Sequence, residues 1–506
     1  LTAINNKILN FISIRANNKI FYFNINDIKF GNYAIREIKI DIIKYYLNNL
    51  NLKNSLKIHL FNILFTKNRK IHKKACLIKF LSDNNSVIEE ITASFLSKKD
   101  ITLFTKFNIK IKKIKSFKIN ITSFLMIYYL IIKKIQYYQR VKYSPKKKME
   151  FNPNIKYFTL LRAFFEITED FYLKKLGKSF DNTIIYVRTE YYKRNLKKHL
   201  LYLEQLKTNK RNYFCYIPKI KNFYNVLKKA IKIYFSSIPN EYKISILQII
   251  ITRIEIDDLV NYINNNFPDI REFYTSEDGD PHTTYMTEKI QERNIKVTNL
   301  AHGLNVYGPI VNYDLFYVFS KIQKNQYMGT SKFKFYKMAI PKMEKKNSLQ
   351  KKFALFFICT CFLNSRPYNS AYKDAIDYIE RIAREYNIPI YAKYHPRSIA
   401  RDKILSKKII IINQIEDLPR EYNYLAITLS STYVMELLNS MPFLIINHQN
   451  KLNLGIFYPT DDLTYVKTYQ EFKEKIEKFM RNPNYYNEYW NILISLIYSD
   501  DALNII

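Results

Sequence analysis

From residue 353 onward the chain repeats one pattern, and that pattern narrows the fold more than any other feature. An apolar stretch "FALFFICT" (353–360) is followed by a loop "CFLNSRPYNS", an amphipathic stretch "AYKDAIDYIERIAREYN" and a second apolar stretch "IPIYAKYH". Then come "KKIIIIN", "YLAITLSS", a helical "TYVMELLNS" and "PFLIIN". The strand-like pieces are apolar at nearly every position, not at every second one, so both of their faces must be covered. Strands of that kind alternating with amphipathic helices specify a parallel sheet flanked by helices. The fold class is α/β, with a doubly wound domain over 353–480.

A similar pattern begins near residue 245. "IEIDDLVNYINNNFPD" predicts a helix, and "IREFYTS", "KVTNLA" and "DLFYVFS" predict strands. Earlier, "NKIFYFNI" (18–25) and "TIIYVRTEYY" (183–192) have strand character, and "LKKHLLYLEQLK" (196–207) has the three- and four-residue steps of a helix. "FNIKIKKIKSFKI" (107–119) predicts a strand with one wet face, whose lysines would discourage edge pairing. The organisation expected is an N-terminal acceptor-side α/β domain over 1–340 and a basic linker over 341–352. The nucleotide-donor domain over 353–480 follows, and helices over 481–506 would pack back across the linker.

Composition constrains partners. With 81 Lys and Arg against 44 Asp and Glu the net charge is +37, which draws polyanions at long range. Lysine here travels with abundant Ile, Asn, Tyr and Phe and only 7 glycines, so a nucleotide bias also contributes. A basic nucleic-acid-binding protein is the rival from another class, but the chain carries no nucleic-acid module, and no nucleic-acid partner is expected. Cys76, Cys215, Cys359 and Cys361 lack metal-ligand spacing and read as buried, reduced thiols. The opening "LTAINNKILNFISIRANNKI" lacks signal-peptide character, and the expected location is cytoplasmic. "FLMIYYLII" (124–132) is too short to span a bilayer and is followed by "KKIQYYQRVKYSPKKK". A buried helix with a solvated basic end is the first reading of it. Peripheral contact with anionic lipid, on the inner face of the cytoplasmic membrane, is the second.

Ligands of open parallel sheets bind beyond the carboxyl ends of the strands, and the polar clusters follow predicted strands. Glu277 and Asp278 precede Gly279, which permits a tight turn; adjacent carboxylates raise one another's proton affinity, as a general base requires. A solvated Asp-Gly turn is the plainer alternative. His302-Gly303 follows the next strand. Asn364-Ser365-Arg366 follows "FALFFICT". In His395-Pro396-Arg397 a histidine and an arginine can hold a phosphate and stabilise its departure, or His395 can be a structural residue. Ser430, Ser431 and Thr432 form a helix N-cap that can also bind phosphate through free N–H groups, with Glu436 one turn on, in reach of ribose hydroxyls.

Taken together, Glu277-Asp278-Gly279, His395-Pro396 and Ser430-Ser431 resemble, in that order, the motifs of bacterial sialyltransferases, most closely the capsular polysialyltransferase type. The resemblance covers roughly 265–450; residues 1–240 carry none. It implies a GT-B fold, two Rossmann-like domains facing across a cleft, with no metal or other cofactor. It also implies Glu277 as the base on the acceptor hydroxyl, His395 at the departing CMP, and Ser430 and Ser431 on its phosphate or ribose. The donor implied is CMP-sialic acid and the acceptor a glycan, polyanionic if the enzyme polymerises. A second resemblance runs through "NIKVTNLAHGLNVYGPIVNYDLFYVFSKIQKNQYMG", which is similar to the His-Gly segment of surface-polysaccharide transferases, including teichoic-acid polymerases that use CDP-glycerol. The tryptophan and threonine usual there are missing, and Glu436 stands where those carry aspartate. Capsular Kdo transferases share similar short motifs. The expected function is therefore glycosyl transfer in bacterial surface-polysaccharide synthesis.

Overall fold

The computed structural model describes residues 11–16, 19–25, 36–48, 54–67, 69–84, 88–93, 95–97, 100–115, 122–142, 149–163, 177, 179–187, 192–216, 220–235, 240–276, 281–301, 309–318, 321–325, 327–337, 352–359, 366–394, 409–429, 434, 437–438, 440–447, 461–497 and 503–504. The first strands, β1 (Phe11–Ala16) and β2 (Lys19–Asn24), form an antiparallel hairpin. Helices α1 (Arg36–Asn48), α2 (Asn54–Lys67) and α3 (Arg69–Asn84) follow. After them come β3 (Ile88–Ala93), α4 (Asp100–Thr105), β4 (Ile111–Lys115) and α5 (Thr122–Lys142). The sheet order is β2-β1-β3-β4, and Ile12, Leu60, Leu64, Leu77, Ile91 and Leu103 build a core of its own beneath it. Edge strand β4 buries Ile111 and Ile114 and exposes Lys112, Lys113 and Lys115, the wet lysine edge its sequence predicts. Inside this core Lys74 donates to Asp100 at 2.9 Å and to the Tyr46 hydroxyl at 2.5 Å, so a buried charge is paired and hydrogen-bonded.

The second sheet contains β5 (Met149–Glu150), β6 (Thr159–Ala163), β7 (Thr183–Val187), α6 (Tyr192–Thr208), β8 (Tyr213–Cys215), α7 (Ile220–Tyr234), α8 (Asn240–Asn266) and β9 (Glu272–Thr275). It continues through α9 (Pro281–Gln291), β10 (Lys296–Leu300), β11 (Ile310–Val311), β12 (Leu315–Val318), α10 (Lys321–Lys324), β13 (Met328–Gly329) and β14 (Phe333–Lys337). β11 and β13 pair apart from it, where Gly329 has φ 116° and any Cβ would stand 2.1 Å from the Val311 carbonyl oxygen. The stretch 1–340, expected as one domain, thus carries two main sheets. Helix α8 runs through both cores: Tyr242, Ile246, Leu247 and Ile251 lie in the first, Ile256, Leu259, Val260 and Ile263 in the second.

The third sheet contains β15 (Lys352–Ile358), α11 (Arg366–Tyr386), β16 (Ile390–Lys393), β17 (Ile410–Ile412), β18 (Tyr422–Thr428), β19 (Phe443–Ile446), α12 (Asp461–Thr464) and β20 (Tyr465–Val466). Helices α13 (Tyr469–Arg481) and α14 (Pro483–Ile497) pack behind it, and β21 (Leu503–Asn504) closes the chain. Buried Tyr489 of α14 donates to the carbonyls of Phe443 and Leu463 at 3.0 and 3.1 Å, and Trp490 donates to Leu438 O at 2.6 Å. α14 also meets α10, and β21 pairs in parallel with β14, so the chain returns to the second sheet.

Strand order defines the architecture. The second sheet runs β8-β7-β6-β9-β10-β12-β14, all parallel, with β5 antiparallel on one edge and β21 on the other. The third runs β17-β16-β15-β18-β19-β20, also parallel. Each winds outward from its first strand, returns to that strand's other side, and winds outward again. This is the Rossmann order, present twice. The fold is α/β with two Rossmann-like domains, the GT-B class.

Three expectations are corrected. "RPYNS", read as loop, opens α11; Pro367 suits a first helical turn, where its missing N–H costs nothing. "KKIIIIN" forms β17, but as an edge strand it leaves Ile410 and Ile411 exposed. The α5 stretch is no buried helix: Met126 is buried, whereas Ile127, Tyr128 and Ile131 are exposed. Its apolar residues outnumber those the single buried face can take. The expected linker lies outside the described residues except for Lys352, which is strand. Cys76, Cys215 and Cys359 are buried thiols outside any disulfide among the described residues; Cys361 lies outside the described residues.

His72 gives the first core a pH dependence. It sits 3.7 Å from Cys76 Sγ, one turn along α3. Burial, then the charges of Lys39 and Lys73, lower its pKa to about 4. Unfolded, it titrates near 6.5, so the unfolded chain binds the proton that the folded one refuses. This contribution, about 3 kcal/mol by linkage, is present above pH 6.5 and is lost as pH falls through 4. Denaturant titrations across that window should show stability declining, and His72→Gln should flatten the decline.

Candidate active site

The return point of the second sheet lies between β6 and β9. Arg162, near the end of β6, is 1% exposed. Its guanidinium donates to Thr283 Oγ1 and, at 2.8 Å, to His282 Nδ1, both in the first turn of α9. An Nδ1 that accepts leaves the His282 ring proton on Nε2. Around this contact Thr275, Ser276, Thr283, Thr284, Thr287 and Asn299 are buried polar residues on β9, α9 and β10. The hydroxyls of Thr275 and Thr287 find no hydrogen-bond partner among the described residues. Buried polar groups concentrated at the carboxyl ends of central parallel strands mark a ligand site.

A second set of contacts fixes α9 along its length. Glu288 lies 3.2 Å from His59 Nε2 of α2, and Arg253 of α8 donates to His59 Nδ1 at 3.2 Å. Tyr285 donates to Asp257 at 2.8 Å, with the Arg253 guanidinium 4.6 Å from its ring centroid. Burial, with Arg253 nearby, lowers the pKa of His59, and Glu288 opposes this in part. Burial pulls Glu288 upward, but its bond with His59 brings it below the usual carboxylate range. Burial and the bond to Asp257 push the Tyr285 hydroxyl far up. Asn62 of α2 bonds both the N–H and the C=O of Ile310, at 3.1 and 2.8 Å. The N-terminal core therefore holds the frame of the site from behind.

Most of the residues picked out by sequence lie outside the described residues: Glu277, Asp278, Gly279, His302, Gly303, Asn364, Ser365, His395, Pro396, Arg397, Ser430, Ser431, Thr432 and Glu436. Arg366 opens α11, and its side chain is also outside them. Their flanking strands are described. β9 ends at Thr275 and β10 at Leu300, each two positions before its cluster; β16 ends at Lys393 and β18 at Thr428, again two before. β9 stands beside β6, the first parallel strand of its sheet, and β18 beside β15, the first of the other. Sequence reasoning missed Arg162 and the threonines of α9. The signal was an arginine inside the apolar strand "TLLRA", visible only as a charge where a core residue belongs. No group of three His, Cys, Asp or Glu able to hold a metal occurs among the described residues.

No protein-family model matches the chain. One curated relative, a "Putative ABC transporter ATP-binding protein MG065 homolog" of Mycoplasma pneumoniae, is 27% identical over 147 residues, 28% of this chain. The chain spans about a third (31%) of that relative's length. An ATP-binding phosphate loop needs a glycine five positions before a Gly-Lys-Ser; at Gly177-Lys178-Ser179 that position is Tyr172. Among solved structures, the UDP-GlcNAc 2-epimerase of Neisseria meningitidis is 11% identical with a TM-score of 0.36, covering 67% of this chain and 94% of its own. The spinosyn rhamnosyltransferase SpnG is 9% identical at 0.38, covering 67% and 97%. A trehalose-phosphate synthase of Burkholderia vietnamiensis is 7% identical at 0.35, covering 67% and 95%. The two strand orders above define the fold.

Arg162→Lys keeps the charge but replaces a fork that bonds α9 through two separate nitrogens with a single ammonium nitrogen. It should cost about 1–3 kcal/mol in chemical denaturation followed by the fluorescence of Trp490, the one tryptophan of the chain.

Proposed function

We propose that this protein is a GT-B glycosyltransferase that moves a sugar from a nucleotide-activated donor onto a glycan hydroxyl in bacterial surface-polysaccharide synthesis, with CMP-sialic acid as the donor. The observation that carries the reading is a coincidence of topology and chemistry. Each sheet reverses its winding at one strand pair, β6–β9 and β15–β18. The acidic pair follows β9 and the hydroxyl cluster follows β18. Proton transfer and phosphate binding are the two tasks of the reaction, and each falls after a strand of the kind where α/β proteins bind ligands.

In the proposed step Glu277 takes the proton from the acceptor hydroxyl, with Asp278 beside it. The hydroxyl oxygen bonds to the anomeric carbon from the face opposite CMP, so configuration inverts. The bond from that carbon to the phosphate oxygen breaks, and CMP leaves with the electron pair. Positive charge gathers on the sugar and negative charge on the phosphate. His395 and Arg397, with the hydroxyls and N–H groups at 430–432, stabilise the phosphate. Glu436 meets the ribose. The Arg162–α9 contact supports the reading because it anchors the helix that follows the acidic pair.

The test is to incubate the protein with CMP-sialic acid, CMP-Kdo, CDP-glycerol and UDP-sugars and to follow the released nucleotide. CMP from CMP-sialic acid, dependent on acceptor, is the expected result. Release from another donor alone would replace the donor, and release from none would sink the reading. With a competent donor, Glu277→Gln should lose turnover and keep donor affinity, and His395→Ala should lose turnover with the thermal melt unchanged. Asp278→Asn proving more damaging than Glu277→Gln would move the base by one residue.

Ser430→Ala or Ser431→Ala should weaken donor binding about ten- to a hundredfold, the worth of one charge-assisted hydrogen bond. Calorimetric titration with CMP measures it, and unchanged affinity would return these serines to helix capping.

A further inference from the structure

Two neighbouring helices of the N-terminal half are apolar on both faces. α5 and α7 touch each other, and both pack on α8. α5 buries Met126, and α7 buries Val226, Ala230 and Ile233, all in the core under the first sheet. The opposite faces are bare. On α5, Ile127, Tyr128, Ile131, Ile135 and Tyr138 follow helical spacing and are exposed, Ile127 to 58%. Tyr224, Leu227 and Ile231 of α7, with Phe235 just past its end, do the same, Tyr224 at 66% and Phe235 at 79%. Scattered exposed apolar residues are ordinary, but two adjacent stripes of this size are not.

The charge around the stripes selects the occupant. α5 carries Lys133, Lys134, Arg140 and Lys142, and α7 carries Lys221, Lys228, Lys229 and Lys232; neither helix has an aspartate or glutamate. Lys228, Lys229 and Lys232 are exposed beside the apolar stripe of α7. A second copy of this chain docked face to face would set these cations against their equals, with no anion in either helix to relieve them. A membrane leaflet rich in anionic headgroups meets both needs, since it accepts the apolar side chains at the acyl boundary and pairs the cations above them. Tyrosines suit that depth, with a polar tip and an apolar ring. No helix among the described residues is long and apolar enough to cross a membrane, so the contact is one of lying on the surface.

From these observations we infer that the outer faces of α5 and α7 form a docking surface for anionic lipid, with both helices lying flat in the headgroup region. The net charge of +37 draws the chain to such a surface, and the apolar stripes hold it there. This inference goes beyond the transferase reading and does not depend on the donor.

Flotation of the full chain with lipid vesicles tests it. Vesicles of phosphatidylcholine containing phosphatidylglycerol should bind the protein, and vesicles of phosphatidylcholine alone should bind it weakly. Replacing Ile131→Glu and Ile135→Glu together should cost at least about tenfold in affinity. Replacing Lys228→Glu and Lys232→Glu should cost about fivefold per cation or more. All four positions are exposed, and thermal melts check that the variants fold; the lysine pair keeps the test open if the isoleucine pair does not fold. Any one of four results would overturn the inference. They are no flotation with anionic vesicles, equal binding to neutral ones, undiminished binding by the folded variants, and a dimer seen by light scattering that Ile131→Glu dissolves. The readout is lipid binding alone, so its failure and that of the transferase reading are distinguishable.

Discussion

The pairing of β6 with β9, and of β15 with β18, is the constraint from which the rest of the architecture follows. A parallel pair cannot be closed by a tight turn, so each strand needs a crossover, and a crossover helix lands on a face of the sheet. After β7 and β8 have occupied one side of β6, the chain returns to the other side as β9, which makes β6 and β9 central. β16 and β17, then β18, repeat this around β15. Each return separates two neighbouring crossovers at the carboxyl ends of the central strands, the place where open α/β sheets bind ligands. The return point is a by-product of winding, and it occurs in both sheets for the same reason.

Around the first return point the protein buries polar groups and satisfies the most costly of them. Arg162 would be costly at 1% exposure without acceptors. Its bonds to Thr283 and His282 turn that cost into a constraint on the first turn of α9. His59, Arg253, Asp257 and Glu288 do the same further along, with groups drawn from α2, α8 and α9. The N-terminal core thereby supports the candidate site through α2, α8 and α9.

Long helices built into two environments explain where patterns were hard to interpret. α8 is apolar along nearly its whole length because one half faces each core. α5 and α7 are apolar on two faces because one enters the core and the other does not. In sequence these cases look alike, since hydrophobicity records how many faces avoid water but not what covers them. The stretch at 124–132 for that reason reads as a buried helix in sequence, yet Ile127, Tyr128 and Ile131 are exposed.

What the sequence alone determined is local and periodic. Largely apolar runs identified β9, β10, β15, β16, β18 and β19, because a strand covered on both faces has few polar positions to spare. The polar clusters after those strands were legible because Gly279, Pro396 and the hydroxyl run at 430–432 break the pattern where a strand must end. Strand order was not legible, for no local signal says on which side of β6 the chain returns; that depends on contacts between segments a hundred residues apart in sequence. The role of Arg162 was hidden likewise, since Thr283 lies 121 positions away. Tertiary structure decided which strands became central and which buried charge found a partner. Both are properties of neighbours that meet only when the chain has folded, whereas periodicity is already present in the chain before it folds.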